Sequence, residues 1–391
     1  MLKAPLSRLA ATRLATLSPL RGARGKKERM IEPLNKLPSD GEPPKPAANR
    51  KKINLGLQGG GAHGAFTWGV LDYLLQDERI DIEGISGASA GAMNAVMLTD
   101  GLARGGPEEA RKRLADFWRA ASLDGNLPGV QRAVFDRLFS FTPFQAPAQA
   151  WFGAISRYMS PYDTNPLNIN PLRDVITRFV DFDAVRACKE VSLFISATNV
   201  HTGRLRVFPQ DKIAADVVMA SACLPFLFRA VEIDGVPYWD GGYMGNPAIF
   251  PFFDATETED VLIVQINPVE RNSTPQSHTE IMNRINEITF NSSLLSEFRA
   301  IDFVTRLIDQ GKLPHGTGVD EYRRVNVHRI TLDSTFRNLT ASSKLNSDYD
   351  FFEMLKKGGA RAARNFLTEH YDDIGVRSTV DLQAESHAEW A

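Results

Sequence analysis

Two polar side chains in this sequence are placed where they could do chemistry. Ser89 lies in Gly87-Ala88-Ser89-Ala90-Gly91, and Asp240 opens Asp240-Gly241-Gly242. A serine hydroxyl is a weak nucleophile until a neighbouring base takes its proton, and an aspartate within reach can be that base. Attack on an ester carbonyl leaves an oxyanion, which fixed N–H donors stabilise. The stretch Gly59-Gly60-Gly61-Ala62-His63-Gly64 could offer them from its backbone. Each signal also has a plainer reading. Gly59 to Gly64 fits a dinucleotide-binding fingerprint, and an Asp-Gly-Gly aspartate can simply cap its own turn. A dinucleotide site would want an acidic residue at the end of the second strand. Asp77, Glu78 and Asp81 precede that expected strand, Glu83 lies within it, and Gly87-Ala88-Ser89 stands at its end.

These residues need a frame. Ile53, Leu55 and Leu57 alternate with Asn54, Gly56 and Gln58, the period of a strand that runs into the three glycines. Phe66, Val70, Tyr73 and Leu74 then recur at helical spacing. A second strand is expected around Ile82 to Ile85, followed by the serine turn and a helix over AMNAVML. To stand exposed at the top of a sheet, the serine must occupy a sharp strand-to-helix reversal with small neighbours. Gly87 and Gly91, two residues away on either side, and Ala88 and Ala90 next to it meet that need. The helix N-terminus there favours developing negative charge.

Farther along, Thr99 to Ala110 (TDGLARGGPEEA) predicts a loop, and helical spacing resumes at Leu114, Phe117 and Trp118. Phe139 to Ser156 holds no charged residue, and Pro143 and Pro147 preclude a continuous membrane helix. It reads either as an aromatic flap beside the site or as an irregular packed segment. Asn170 or Pro171 should open a helix; Val191 to Ala197 and Arg204 to Phe208 should be strands joined at Thr202-Gly203. A helix-like run over 213–226 is ended by Pro225, and one strand over 231–240 delivers Asp240. Val261 to Ile266 has the unbroken apolar character of a buried parallel strand. Two helices follow, over 280–310 and 349–367, and the tail from Asp373 to Ala391 is expected to be loosely ordered.

The 391 residues, 43% hydrophobic and 24% charged, suffice for a large core in one or two domains. Two cysteines make no disulfide framework. The net charge of −2 hides an asymmetry: residues 1–52 hold 13 Lys and Arg against 4 acids, leaving 32 against 43 and a net of −11 for the body. That balance argues against nucleic acid as a partner. Residues 1–30 carry eight basic residues, and Arg8 and Arg13 interrupt any secretory apolar core. The leader reads as a transit-like peptide, a basic arm touching anionic membrane, or an extension upstream of Met30. Five prolines between Glu32 and Ala47 mark an extended linker, so the fold should begin near Lys51. No run of about 20 uninterrupted apolar residues occurs, so the expected location is cytoplasmic or peripheral to a membrane.

The histidines bear on the choice of base. His278, His315, His328 and His370 all follow Asp240, so chain order permits a Ser-His-Asp triad. None sits in a glycine-rich turn; His328, on an apparent strand, reads as structural, and His201 and His63 are loop residues, of which His63 could orient substrate. No cluster has metal-ligand spacing.

Taken together and in order, GGGAHG, GASAG, ASACLP and DGG over Gly59 to Gly242 resemble the patatin-like phospholipase family, bacterial type. The resemblance covers about residues 51–270 and continues weakly into the C-terminal helices. It implies an α/β fold, a three-layer sandwich around a mostly parallel central sheet, with Ser89 as nucleophile, Asp240 as proton acceptor and Gly59, Gly60 and Gly61 as the oxyanion loop. His63, Gly64, Gly87, Gly91, Gly241 and Gly242 support the motifs. His63 departs from the family, which more often has Arg or Lys there, so a fixed positive charge in the loop is missing. The expected domains are a basic, Pro-rich leader and linker (1–50), a catalytic domain (51–270), C-terminal helices and a strand packed on it (271–372) and a tail (373–391). The expected activity is serine-dependent hydrolysis of lipid or other acyl esters without cofactor, with contact to a lipid surface. The alternatives are an acyltransferase or a polyester or thioester hydrolase with the same dyad, a Ser-His-Asp hydrolase, or a non-catalytic nucleotide-binding protein.

Overall fold

Alternation of apolar side chains produces β1 (Lys51–Leu57), which enters the fold through Ile53, Leu55 and Leu57, all without solvent exposure. The computed structural model describes residues 50–122 and 160–386, except 166, 317, 319, 333–335, 337–338, 340–342 and 345. The leader, the linker up to Asn49 and the uncharged segment Phe139 to Ser156 lie outside the described residues. After β1 come helix α1 (Gly64–Asp77), β2 (Ile80–Gly87), α2 (Ala90–Ala121) and α3 (Pro171–Phe179). Next are β3 (Ser192–Asn199), β4 (Leu205–Pro209), α4 (Ala215–Ser221), β5 (Val231–Ile233) and β6 (Val236–Asp240). β7 (Asp260–Gln265), α5 (His278–Asp309), β8 (Asn326–Thr331), α6 (Tyr349–His370) and α7 (Leu382–Ser386) follow.

Eight strands form one mixed sheet in the order β5-β6-β3-β2-β1-β7-β8, with β4 also on β3. The pairs β1–β2, β1–β7, β2–β3 and β7–β8 are parallel, whereas β4 and β6 run antiparallel to β3. Alternate residues of β7 enter different cores: Leu262 and Val264 join α1, α2 and α6, and Val261 and Ile263 join Leu294, Phe298 and Ile301 of α5. Both faces are therefore covered by helices, the arrangement of an α/β fold with a mostly parallel sheet.

The register of β3 explains how the chemistry is assembled. β2 pairs with β3 up to Gly87 opposite Ile195, while β6 pairs from Ala197, opposite Asp240, to Asn199. Because β4 occupies β3 from Phe194 to Thr198, β2 and β6 must share the other edge, meeting end to end. The C-terminal ends of β2 and β6 therefore face each other.

Four expectations need correction. Thr99 to Ala110 is helical rather than a loop, broken at Gly106 (φ 75°) before Pro107. Its arms pack so tightly that a Cβ on Gly101 would lie 2.2 Å from Ala110 Cα. The run ended in expectation by Pro225 stops as a helix at Ser221. Residues 231–240 form a hairpin rather than one strand, because Asp234 and Gly235 both take positive φ, the geometry of a tight two-residue turn. Finally, the described part of the tail is packed: Ile374 is 2% exposed, and Thr379 and Val380 donate to the Val327 carbonyl.

Candidate functional site

Ser89 stands between β2 and α2 with φ 53° and ψ −123°, a conformation side-chain-bearing residues rarely hold. Surrounding structure has to impose it. A Cβ on Gly87 would come within 2.7 Å of Gly91, so only glycines allow the reversal. The Ser89 amide, 8% exposed with its residue, donates to Ser221 Oγ at 2.9 Å at the end of α4. Ser221 belongs to the ASACLP stretch, to which sequence reasoning assigned no task.

Asp240 ends β6, fully buried. Its amide donates to the Cys223 carbonyl (2.8 Å), its carbonyl accepts from Thr198 Oγ1 (2.8 Å), and Oδ1 accepts from the Gly242 amide (2.7 Å). Turn capping leaves part of the carboxylate over: Oδ1 caps, while buried Oδ2 has no aligned hydrogen-bond partner among the described residues. Burial pushes its carboxyl pKa up to about 7, against the lowering effects of the Gly242 N–H, the nearby Ser89 hydroxyl and the Lys344 charge. Gly241 lets the turn press on β3, where its Cβ would lie 2.1 Å from Ser196 O.

In the glycine loop the three expected donors are not equivalent. Gly59 N–H is already committed to Asn246 Oδ1 at 2.6 Å, so Gly59 is an anchor rather than an oxyanion donor. The amides of Gly60 and Gly61 have no acceptor among the described residues, and both glycines line the cavity that holds Ser89 and Asp240. A buried amide network fixes the loop. Gln58 Oε1 accepts from Ile266 N, Asn267 N and Asn267 Nδ2, each at 3.0 Å, and Gln58 Nε2 donates to Asn291 Oδ1 at 3.1 Å. Asn267 Nδ2 also reaches Gly59 O at 2.7 Å. Gly64 lies beneath the serine helix, its carbonyl accepting from Asn94 Nδ2 at 3.0 Å.

His63 does not face the cavity. It is 2% exposed, bonded through Nε2 to Ser343 Oγ at 2.8 Å, and burial followed by the Lys344 and Arg271 charges depresses its pKa to about 3. The expected substrate-orienting role is therefore corrected to a neutral packing role. None of the described cavity-lining residues is a histidine. His328 is buried between Asp260 (2.9 Å) and Thr379 (3.2 Å), His315 pairs with Glu259 and His370 with Asp373. The described geometry thus gives Ser89 no imidazole partner.

The cavity, of about 570 Å³, is otherwise lined mainly by apolar groups, among them Met93, Phe117, Trp118, Leu227 and Phe352. That lining suits an acyl chain. Among the described lining residues one is a cation, Lys344, which no local motif marks.

The Patatin-like phospholipase family description matches residues 55–253. No curated protein matches the sequence. Among solved structures, VipD from Legionella pneumophila is similar at 15% identity and TM-score 0.39, over 83% of this chain and 68% of that one. ExoU in complex with SpcU from Pseudomonas aeruginosa is similar at 15% identity and TM-score 0.30, over 81% of this chain and 53% of that one. The matched residues are half of the chain and contain the glycine loop, the serine turn and Asp240: the chain belongs to the patatin-like phospholipase family, carboxylic ester hydrolases that act on lipid acyl esters.

Proposed function

We propose that this chain hydrolyses lipid esters with Ser89 as nucleophile and Asp240 as its base. Ser89 Oγ attacks the acyl carbonyl carbon while its proton passes to Asp240 Oδ2. The oxyanion so formed is held by the Gly60 and Gly61 amides and by the N-terminal end of α2. Collapse of this intermediate breaks the ester bond, and the proton on Asp240 goes to the departing alcohol. Water then attacks the acyl-serine, giving its proton to Asp240, and release of the fatty acid restores the Ser89 hydroxyl.

The observation that carries the reading is the end-to-end meeting of β2 and β6 on one edge of β3. It sets a serine in a strained turn beside a buried carboxylate whose Oδ2 no group other than the nearby Ser89 hydroxyl approaches among the described residues and whose pKa is near 7. Such a carboxylate is a far better base toward a hydroxyl than an exposed aspartate. Phe226, 75% exposed, carries the apolar lining to the surface, where a lipid aggregate would be met. Among the described residues no helix is long and apolar enough to cross a membrane.

The test is turnover of a short-chain ester and of a phospholipid by Ser89→Ala and Asp240→Asn. Each should lower kcat by about 1000-fold or more while leaving the circular dichroism spectrum intact. A Ser89→Ala variant retaining wild-type turnover contradicts the assignment. Product analysis with an alcohol present separates hydrolysis from acyl transfer.

A further inference from the structure

The loop that would cradle the oxyanion contains no cation of its own, and His63, its one titratable side chain, is neutral. A cation arrives instead from far along the chain. Lys344 Nζ donates to Asn267 Oδ1 at 2.6 Å and lies 5.5 Å from the centroid of the Phe290 ring. We propose that Lys344 supplies the fixed positive charge of the reaction centre, stabilising the oxyanion that develops beside Gly60 and Gly61. This rests on the Ser89 and Asp240 reading above.

Three features carry the inference. First, Lys344 is built onto the glycine loop: Gly61 holds φ 58°, and a Cβ there would lie 2.3 Å from Lys344 O. Secondly, Asn267 grips both partners, accepting from Lys344 Nζ through Oδ1 and donating to Gly59 O through Nδ2. A shift of the ammonium therefore shifts the loop. Thirdly, Lys344 forms no ion pair among the described residues. The described hydrogen-bond acceptor of Nζ is a neutral amide oxygen, which leaves ammonium donors for a substrate oxygen. The charged groups around it are Asp240, Glu287 and Arg271. Glu287 is already held by Arg271 (2.6 Å) and Arg284 (3.2 Å), so it does not neutralise Lys344 locally.

A half-buried cation beside an apolar cavity is costly unless something uses it. Burial lowers the Lys344 pKa to about 8 even though Glu287 and Asp240 oppose the shift. The ammonium form predominates at neutral pH and is lost above about pH 8. Asp240, with a pKa near 7, must be ionised to act as base. The wild-type rate should therefore rise through about pH 7 and fall above about pH 8.

The experiment compares wild type, Lys344→Met and Lys344→Arg on neutral p-nitrophenyl butyrate and on anionic phosphatidylglycerol vesicles, with kcat, KM and pH profiles. Lys344→Met should lower kcat on the neutral ester by about 100-fold with KM nearly unchanged, and should lower phosphatidylglycerol turnover to the same degree. Lys344→Arg should recover at least about tenfold of that loss and move the alkaline limb upward, because guanidinium stays charged. Neutral-ester kcat within about twofold of wild type in Lys344→Met overturns the inference. So does a loss confined to phosphatidylglycerol, which makes Lys344 a head-group contact. If Lys344→Met fails to give a cooperative melt, Lys344→Arg decides: an alkaline limb still near pH 8 overturns the proposal. A wild type that turns over neither substrate contradicts the hydrolase reading and this inference together, whereas wild-type turnover with an active Lys344→Met contradicts this inference alone.

Discussion

Burial raises the proton affinity of the Asp240 carboxylate, as the proposed base requires, and the same burial makes its ionised form a strain on the fold. A carboxyl whose pKa is raised to about 7 binds its proton more tightly folded than unfolded, so its contribution to stability is present at low pH and lost as pH rises from about 4 to about 7. Asp240→Asn keeps an acceptor for the Gly242 amide and removes the charge. Its Tm should match wild type near pH 4, where the carboxyl is still largely protonated in both states, and exceed it by about 2–4 °C or more at pH 8, as calorimetry can check. Ser221→Ala acts oppositely, orphaning the buried Ser89 amide; about 1–3 kcal/mol of stability and much of the turnover should go. Ser89 and Asp240 were legible because their neighbours are small and their motifs local. Lys344, Asn246 and Asn267 were not, because their partners in the glycine loop lie hundreds of positions away in sequence and only the folded sheet brings them together.

At the scale of elements, the glycine loop is a short segment whose position depends on side chains from three later regions. Gln58 is its keystone. Gln58→Leu preserves bulk and leaves Ile266 N, Asn267 N and Asn246 O without their partner, so urea unfolding should show a loss of about 2–5 kcal/mol. Sequence periodicity found β1, α1, β2, β3, β7 and the two long C-terminal helices, because each has a clear face or an unbroken apolar run. It failed where a single residue changes direction. Asp234-Gly235 splits one apparent strand into a hairpin, and Gly101 and Gly105 are tolerated inside helix α2, where tight packing of its arms outweighs poor helix propensity. The tail resisted reading because its order comes from pairing with Val327, not from its own pattern.

For the molecule as a whole, the stretch that carries the family likeness stops at residue 253, yet the site does not. Asn267, Phe290 and Lys344 lie beyond it, and α6 packs on α1 so closely that a Cβ on Gly69 would lie 1.9 Å from Lys356 O. Removing residues 344–391 should therefore expose α1, abolish turnover and replace the cooperative thermal transition with aggregation, measurable by circular dichroism and light scattering. A truncated chain that melts cooperatively would show that the C-terminal elements are accessory. The domain division 51–270 and 271–372 is accordingly proposed as two parts of one folding unit.

Activation of Ser89 by Asp240 is open to covalent labelling without knowledge of the natural substrate. A fluorophosphonate probe, followed by peptide mapping, should modify wild type at Ser89, leave Ser89→Ala unmodified and react with Asp240→Asn at least about 100-fold more slowly. Wild type that takes no label, or Asp240→Asn that labels at the wild-type rate, would contradict the dyad.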